Sequence, residues 1–106
     1  MLPKKNRIDK KTLDLVFKKG KFIVSSSLTF KFIILNGGRK VSFVAPKSVA
    51  NLAVMRNRLR RRGYSVLERF IERFPAGLLG VFIFRKYQDD TLILQNEIKN
   101  ILNKIN

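Results

Sequence analysis

The chain has 106 residues, enough for one domain with a core that needs no disulfide or metal staple, and an apolar content of 45% marks it as a folding sequence. With no Cys and no His, thiol nucleophiles, zinc sites built on those ligands and imidazole acid–base catalysis are excluded together. The balance of 23 Lys and Arg against 7 Asp and Glu, a net charge of +16, points to a polyanionic partner, with nucleic acid ahead of an anionic membrane surface.

The opening MLPKKNRIDKK runs into charge with no apolar signal region, and the apolar stretch Leu78 to Phe84 is too short to span a bilayer. A cytoplasmic domain without a membrane partner is expected. Asp9 is placed to cap a first helix, Ile8 and Leu13 have the spacing of a hydrophobic staple, and Gly20 sits where a C-terminal glycine belongs. Leu13, Val16 and Phe17 share one face of that helix, among Lys10, Lys11, Lys18 and Lys19.

The period then changes to two. Lys21–Ser25 predicts a short strand, broken at Ser25-Ser26-Ser27. Across 28–35, Leu28, Phe30, Phe32 and Ile34 alternate with Thr29, Lys31, Ile33 and Leu35, which predicts a strand with one strongly apolar face. Asn36-Gly37-Gly38-Arg39 reads as a hairpin turn and 40–45 as the returning strand, ended by Pro46.

A second helix is expected from about Leu52 to Phe74, capped by Asn51, with Leu59, Gly63, Val66, Leu67, Phe70 and Phe74 in one apolar stripe. A helix-interior Gly costs about 1 kcal/mol relative to Ala, so Gly63 implies close approach to a sheet. Pro75-Ala76-Gly77 is the stop, and 79–85 reads as a strand covered on both faces. Asp89 or Asp90 caps a last helix whose core face is Leu94, Ile98, Ile101, Leu102 and Ile105. The order is α-β-β-β-α-β-α. A strand, a helix and a strand in succession suggest a crossover between parallel strands, hence a single-domain α/β sandwich over residues 1–106.

Five arginines fall between Arg56 and Arg62. At about 100° per residue, Asn57, Arg60, Arg61 and Tyr64 lie on one arc beside the apolar stripe, and Arg58 and Arg62 lie on the opposite flank. Arg56 stands at the helix start, where it can project past the sheet edge. A solvated, salt-bridged face is the bland alternative, but Glu68 and Glu72 both lie beyond the arginine run. Guanidinium groups match phosphate and stack on bases. Phe17 and Phe22 flank Lys18, Lys19 and Lys21, a combination that can stack unpaired bases, although each ring is also a candidate for the core. No catalytic constellation appears. Asp89-Asp90 could hold a metal but reads better as a cap, and Gly37-Gly38 lacks phosphate-loop spacing.

AVMRNRLRRR following FVAPKS, with LPKKNRIDKKTLDLVFKKGK before it and GVFIFRK after, resembles the protein subunit family of bacterial ribonuclease P across nearly the whole chain. Ala53, Val54, Arg56, Asn57, Arg60 and Arg61 match its RNR motif in register. The resemblance implies a four-stranded sheet with a left-handed βαβ crossover. It implies an endoribonuclease subunit without catalytic side chains, whose RNA partner uses Mg2+ held mainly by that RNA to mature the 5′ end of tRNA. It places Arg56, Asn57, Arg60 and Arg61 on the catalytic RNA and makes Phe17, Lys18 and Lys31 candidates for the 5′ leader of precursor tRNA; Arg58, Arg62 and Lys47 are expected to bind RNA beside them. No protein-held metal and no obligate protein partner are expected. The chain departs from the pattern at Tyr64, where the last motif Arg is usual, at Asn51-Leu52 in place of Gly-Asn, and at Lys31 in place of a frequent aromatic. A ribosomal or RNA-chaperone-type protein and a sequence-tolerant DNA-binding protein are the alternatives.

Overall fold

A computed structural model describes residues 8–105; the Lys4, Lys5 and Arg7 of the N-terminal basic zone lie outside the described residues. In chain order the elements are α1 (Lys10–Lys19), β1 (Lys21–Val24), β2 (Leu28–Ile34), β3 (Lys40–Val44), α2 (Ala53–Leu67), a 3₁₀ turn (Ile71–Arg73), β4 (Leu78–Phe84) and α3 (Thr91–Ile105). This is the expected α-β-β-β-α-β-α order. The strands form one sheet in the order β1-β2-β4-β3. β2 pairs antiparallel with β1 and β4, and β3 pairs parallel with β4, so β3–α2–β4 is the crossover read from the sequence.

The expected hairpin between β2 and β3 is not formed, because β4 lies between them. β4 is the most apolar strand, with Leu78, Gly80, Val81, Phe82 and Phe84 buried, and it gains most from a place covered on both faces. Two strands separated by a third are roughly 10 Å apart, too far for a two-residue turn. Residues 35–39 make the passage instead, with Gly37 at φ 123°. Gly77, at φ 81°, crosses so close to Leu35 that a Cβ there would lie 1.7 Å from the Leu35 carbonyl oxygen, while the Gly77 carbonyl accepts from the Leu35 N–H at 2.9 Å.

Asp9 caps α1 as expected, its Oδ1 accepting from the Thr12 N–H at 2.8 Å. This bond holds the Asp9 carboxyl below its ordinary value. Asn51 does not cap α2: the cap position is Leu52, without a side-chain bond. The helix also ends at Leu67 rather than near Phe74. The chain tightens there, with i to i−3 bonds from Phe70 to Leu67 and from Phe74 to Ile71. At three residues per turn those pairs stay aligned, so Phe70, Ile71 and Phe74 remain buried after the α-helix has stopped. Asp90 caps α3, accepting from the Leu92 N–H at 2.9 Å and the Ile93 N–H at 3.3 Å.

One sheet face carries Leu28, Phe30, Phe43, Phe82 and Phe84 in register and packs with α2 and α3 into the main core. Its centre is a ring stack, with centroid distances of 4.2 Å for Phe30–Phe82 and 4.9 Å for Phe43–Phe82. The other face receives α1, whose Val16 is fully buried, as is Val81 of β4. Glu97 joins the core face of α3 beside the expected apolar residues. It accepts from the Ser27 N–H at 2.7 Å and from the Ser25 hydroxyl, pinning the β1–β2 turn to α3.

Candidate nucleic-acid interface

The arginine helix is seated by a glycine and a tyrosine. A Cβ on Gly63 would lie 2.6 Å from the ring of Phe43 on β3, so the missing side chain is what lets α2 approach. Tyr64, placed by the helical arc among the arginines, is instead only 5% exposed. Its hydroxyl accepts from the Phe43 N–H at 3.1 Å, and its ring meets the Phe43 ring edge-on at 5.2 Å. A tyrosine at the border of an apolar stripe can serve either side, and helix periodicity alone does not decide between them.

α2 thereby forms one wall of a cleft of about 730 Å³ at the β3 edge. Val54, Asn57, Arg60, Arg61 and Tyr64 come from the helix, and Ser42, Phe43 and Ile8 form the opposite side. The Ile8 N–H donates to Ser42 Oγ at 2.8 Å, which fastens the start of the described chain to β3. Arg60 donates to Asn57 Oδ1, which links the two side chains on the exposed face of α2. Arg60 and Arg61 are exposed, and α2 itself contains no acidic residue. The site combines two guanidinium groups, an amide and an exposed apolar flank at Val54, a chemistry suited to phosphate with a sugar or base beside it.

The remaining motif residues are dispersed. Arg56 is half-buried and donates through Nη1 to the Ala50 carbonyl at 3.0 Å and the Asn51 carbonyl at 2.8 Å, bracing the loop that enters α2. Arg58 is half-buried, Arg62 and Lys47 are exposed, and none of the three lines the cleft. Tyr64, Val54, Ser42 and Ile8 were not singled out as wall residues by the sequence. For Ser42 and Ile8 no local signal exists, because their place depends on the β3 register.

The second basic zone gathers on the α1 face of the sheet. Lys31 Nζ lies 5.2 Å from the centroid of the Phe17 ring, bringing two of the three expected leader residues together. Lys18 is exposed on α1. Phe22 pairs in register with Lys31, and Val24 follows on the same face two residues on; they are 66% and 44% exposed. Apolar rings and lysines therefore share an open floor beside α1, as base stacking with phosphate contact requires. Phe22 was legible as an aromatic among lysines, whereas the exposure of Val24 follows from β1 being an edge strand.

Among the described residues no three His, Cys, Asp or Glu come together to hold a metal ion. Asp89 accepts from the Tyr87 hydroxyl at 3.2 Å, and Asp90 Oδ1 is taken up by the α3 cap. Among the described residues no helix is long and apolar enough to cross a membrane.

A family model described as Ribonuclease P matches residues 2–106. The fold is similar to the RNase P protein from Thermotoga maritima, with a TM-score of 0.80 and 23% identity over 94% of this chain and 97% of that one. It is similar also to two structures of the Staphylococcus aureus RNase P protein. One has a TM-score of 0.78 and 18% identity over 95% and 98% of the two chains. The other has a TM-score of 0.74 and 21% identity over 99% and 92%. No curated protein matches the sequence.

Proposed function

The chain belongs to the ribonuclease P protein family, whose members are RNA-binding components of a tRNA-processing enzyme, and from that premise we propose how its two surfaces divide the work. The α2 cleft binds the catalytic RNA, with Arg60 and Arg61 on phosphates and Asn57 setting their register. The floor formed by Phe17, Phe22, Lys31 and Val24, with Lys18 at its rim, takes the single-stranded 5′ leader of precursor tRNA. The observation that carries this reading is the gathering of Asn57, Arg60 and Arg61 along one cleft wall in a helix without acids. Arg58, Arg62 and Lys47 add diffuse positive potential, and Arg56 contributes by bracing the loop.

The chain supplies no catalytic side chain on this reading, and chemistry belongs to the RNA. Magnesium would be held mainly by the partner RNA. When bound there, it supplies charge neutralisation and an activated water. The protein's own part is to place cationic groups against converging phosphates and to stack leader bases. This work belongs in the cytoplasm and requires no further protein.

Reconstitution tests it. Adding the chain to a ribonuclease P RNA at low magnesium restores cleavage of precursor tRNA, and Phe22→Ala with Lys31→Ala weakens binding of precursor tRNA but not of leaderless tRNA. Cleavage by the chain with no RNA present would overturn the division of labour. Equal effects on both substrates would remove the leader from the α1 face.

A further inference from the structure

We propose that Tyr64 is a positioning residue for RNA binding: its hydroxyl bond to the free edge of β3 fixes the rotational setting of α2 and so aims Asn57, Arg60 and Arg61 along the cleft. The proposal rests on the reading of α2 as the helix that contacts catalytic RNA.

β3 pairs with β4 on one side only, so its outward backbone groups need partners elsewhere. The Phe43 N–H finds one in the Tyr64 hydroxyl at 3.1 Å. Phe43 is 4% exposed and Tyr64 5%, which shields the bond from water and makes its loss costly. Gly63 touches the same Phe43 ring from the adjacent helical position. Helix and strand are thus joined at Phe43 by the Gly63 approach, the edge-on Tyr64 ring and the directional bond from its N–H to the Tyr64 hydroxyl. The packing of Leu59, Val66 and Leu67 seats the helix, and the directional contact adds an angular constraint at the cleft.

Rotation matters because Arg61, Arg60 and Asn57 stand three, four and seven positions before Tyr64, on the neighbouring helical face. A turn of about 20° moves a group about 6 Å from the axis by about 2 Å. That is more than a hydrogen bond to phosphate tolerates. Where the family resemblance expects another arginine, this chain has a neutral ring drawn into the core, and its effect on RNA is exerted through the charges that remain.

The test is a double-mutant cycle on the full chain with a ribonuclease P RNA, measured well below every melting midpoint. Tyr64→Phe keeps the ring and removes the hydroxyl. It weakens RNA binding by about threefold or more in the parent chain and by less than about twofold when Arg60→Ala and Arg61→Ala are already present. Amide exchange at Phe43 accelerates in Tyr64→Phe, reporting the lost bond directly. An equal factor in both backgrounds, or unchanged affinity in the parent background, overturns the positioning role. A parent chain that does not bind the RNA overturns the reading beneath it.

Discussion

Replacing Gly63 with Ala tests whether α2 is seated as described, because the substitution sets two opposing effects against each other. Ala favours the helix interior by up to about 1 kcal/mol over Gly. Its Cβ, however, would lie 2.6, 2.7 and 2.8 Å from three atoms of the Phe43 ring. Favourable carbon contacts begin near about 3.5 Å, so the ring must retreat by close to an ångström. It has little room, stacked on Phe82 at 4.9 Å and 15° and met edge-on by Tyr64 at 5.2 Å. Overpacking of this kind costs about 1–3 kcal/mol. The net is a loss of about 1 kcal/mol, or a melting midpoint lower by about 4–8 °C for a domain of this size. Urea and thermal unfolding read it directly. In a Phe43→Leu background the obstructing ring is gone, and the same Gly63→Ala change becomes neutral or stabilising. A Gly63→Ala chain as stable as its parent would refute the close approach, and an identical loss in the Phe43→Leu background would place the strain elsewhere.

Arg60→Ala and Arg61→Ala each flatten the dependence of log K on log salt for RNA binding by about 0.7–0.9 per lost phosphate contact; an unchanged slope would put those side chains on solvent or bases. Glu97→Ala strips the acceptor from the buried Ser27 N–H and the Ser25 hydroxyl, and a loss of about 2–3 kcal/mol follows from buried donors left unpaired. Glu97→Gln retains an acceptor oxygen and loses less than half as much in the same urea titration; equal losses would refute the hydrogen-bond account. The Asp9 carboxyl lies below its ordinary value of 3.8 because the Thr12 N–H bonds the charged form. Its stabilisation is therefore complete above that pH and lost as pH falls through the lower folded value. Asp9→Asn, a cap that does not titrate, reduces the fall in melting midpoint below pH 3.8 and leaves neutral-pH stability nearly unchanged.

What could be read from the sequence was local. Asp9 and Asp90 announce their helices because a cap is a bond within three residues. Gly63 announces its contact because an interior glycine is unfavourable without a reason. The alternation from Leu28 to Ile34 gives the core face directly. The end of α2 was hidden because the 3₁₀ turn keeps i+3 spacing, and an apolar stripe at threes and fours looks continuous across a change of winding. Glu97 was hidden because its partners are 70 and 72 residues away. Arg56 was read as charge for RNA; that its Nη1 also donates to the Ala50 and Asn51 carbonyls was hidden, because no periodicity describes the loop entering α2. The RNR residues were legible as a set, but the cleft was not, since half of it comes from β3 and Ile8.

The insertion of β4 between β2 and β3 links these omissions. Asn36-Gly37-Gly38 is a sound hairpin signal in isolation, and a hairpin would have left β3 paired to β2 on one side. With β4 in the centre, β3 becomes the sheet edge and the parallel partner of the strand that follows α2. The crossover then carries α2 to that edge, where Phe43 offers a ring for Gly63 and an unpaired N–H for Tyr64. An edge strand is ordinarily a liability for aggregation. Here one end of that edge is sealed by a side chain from the helix bearing the arginines, and the seal is also what orients them. One of the positions at which this chain departs from the RNR pattern thus acts on the edge: a guanidinium at 64 would have no acceptor for the Phe43 N–H, and the tyrosine hydroxyl accepts it.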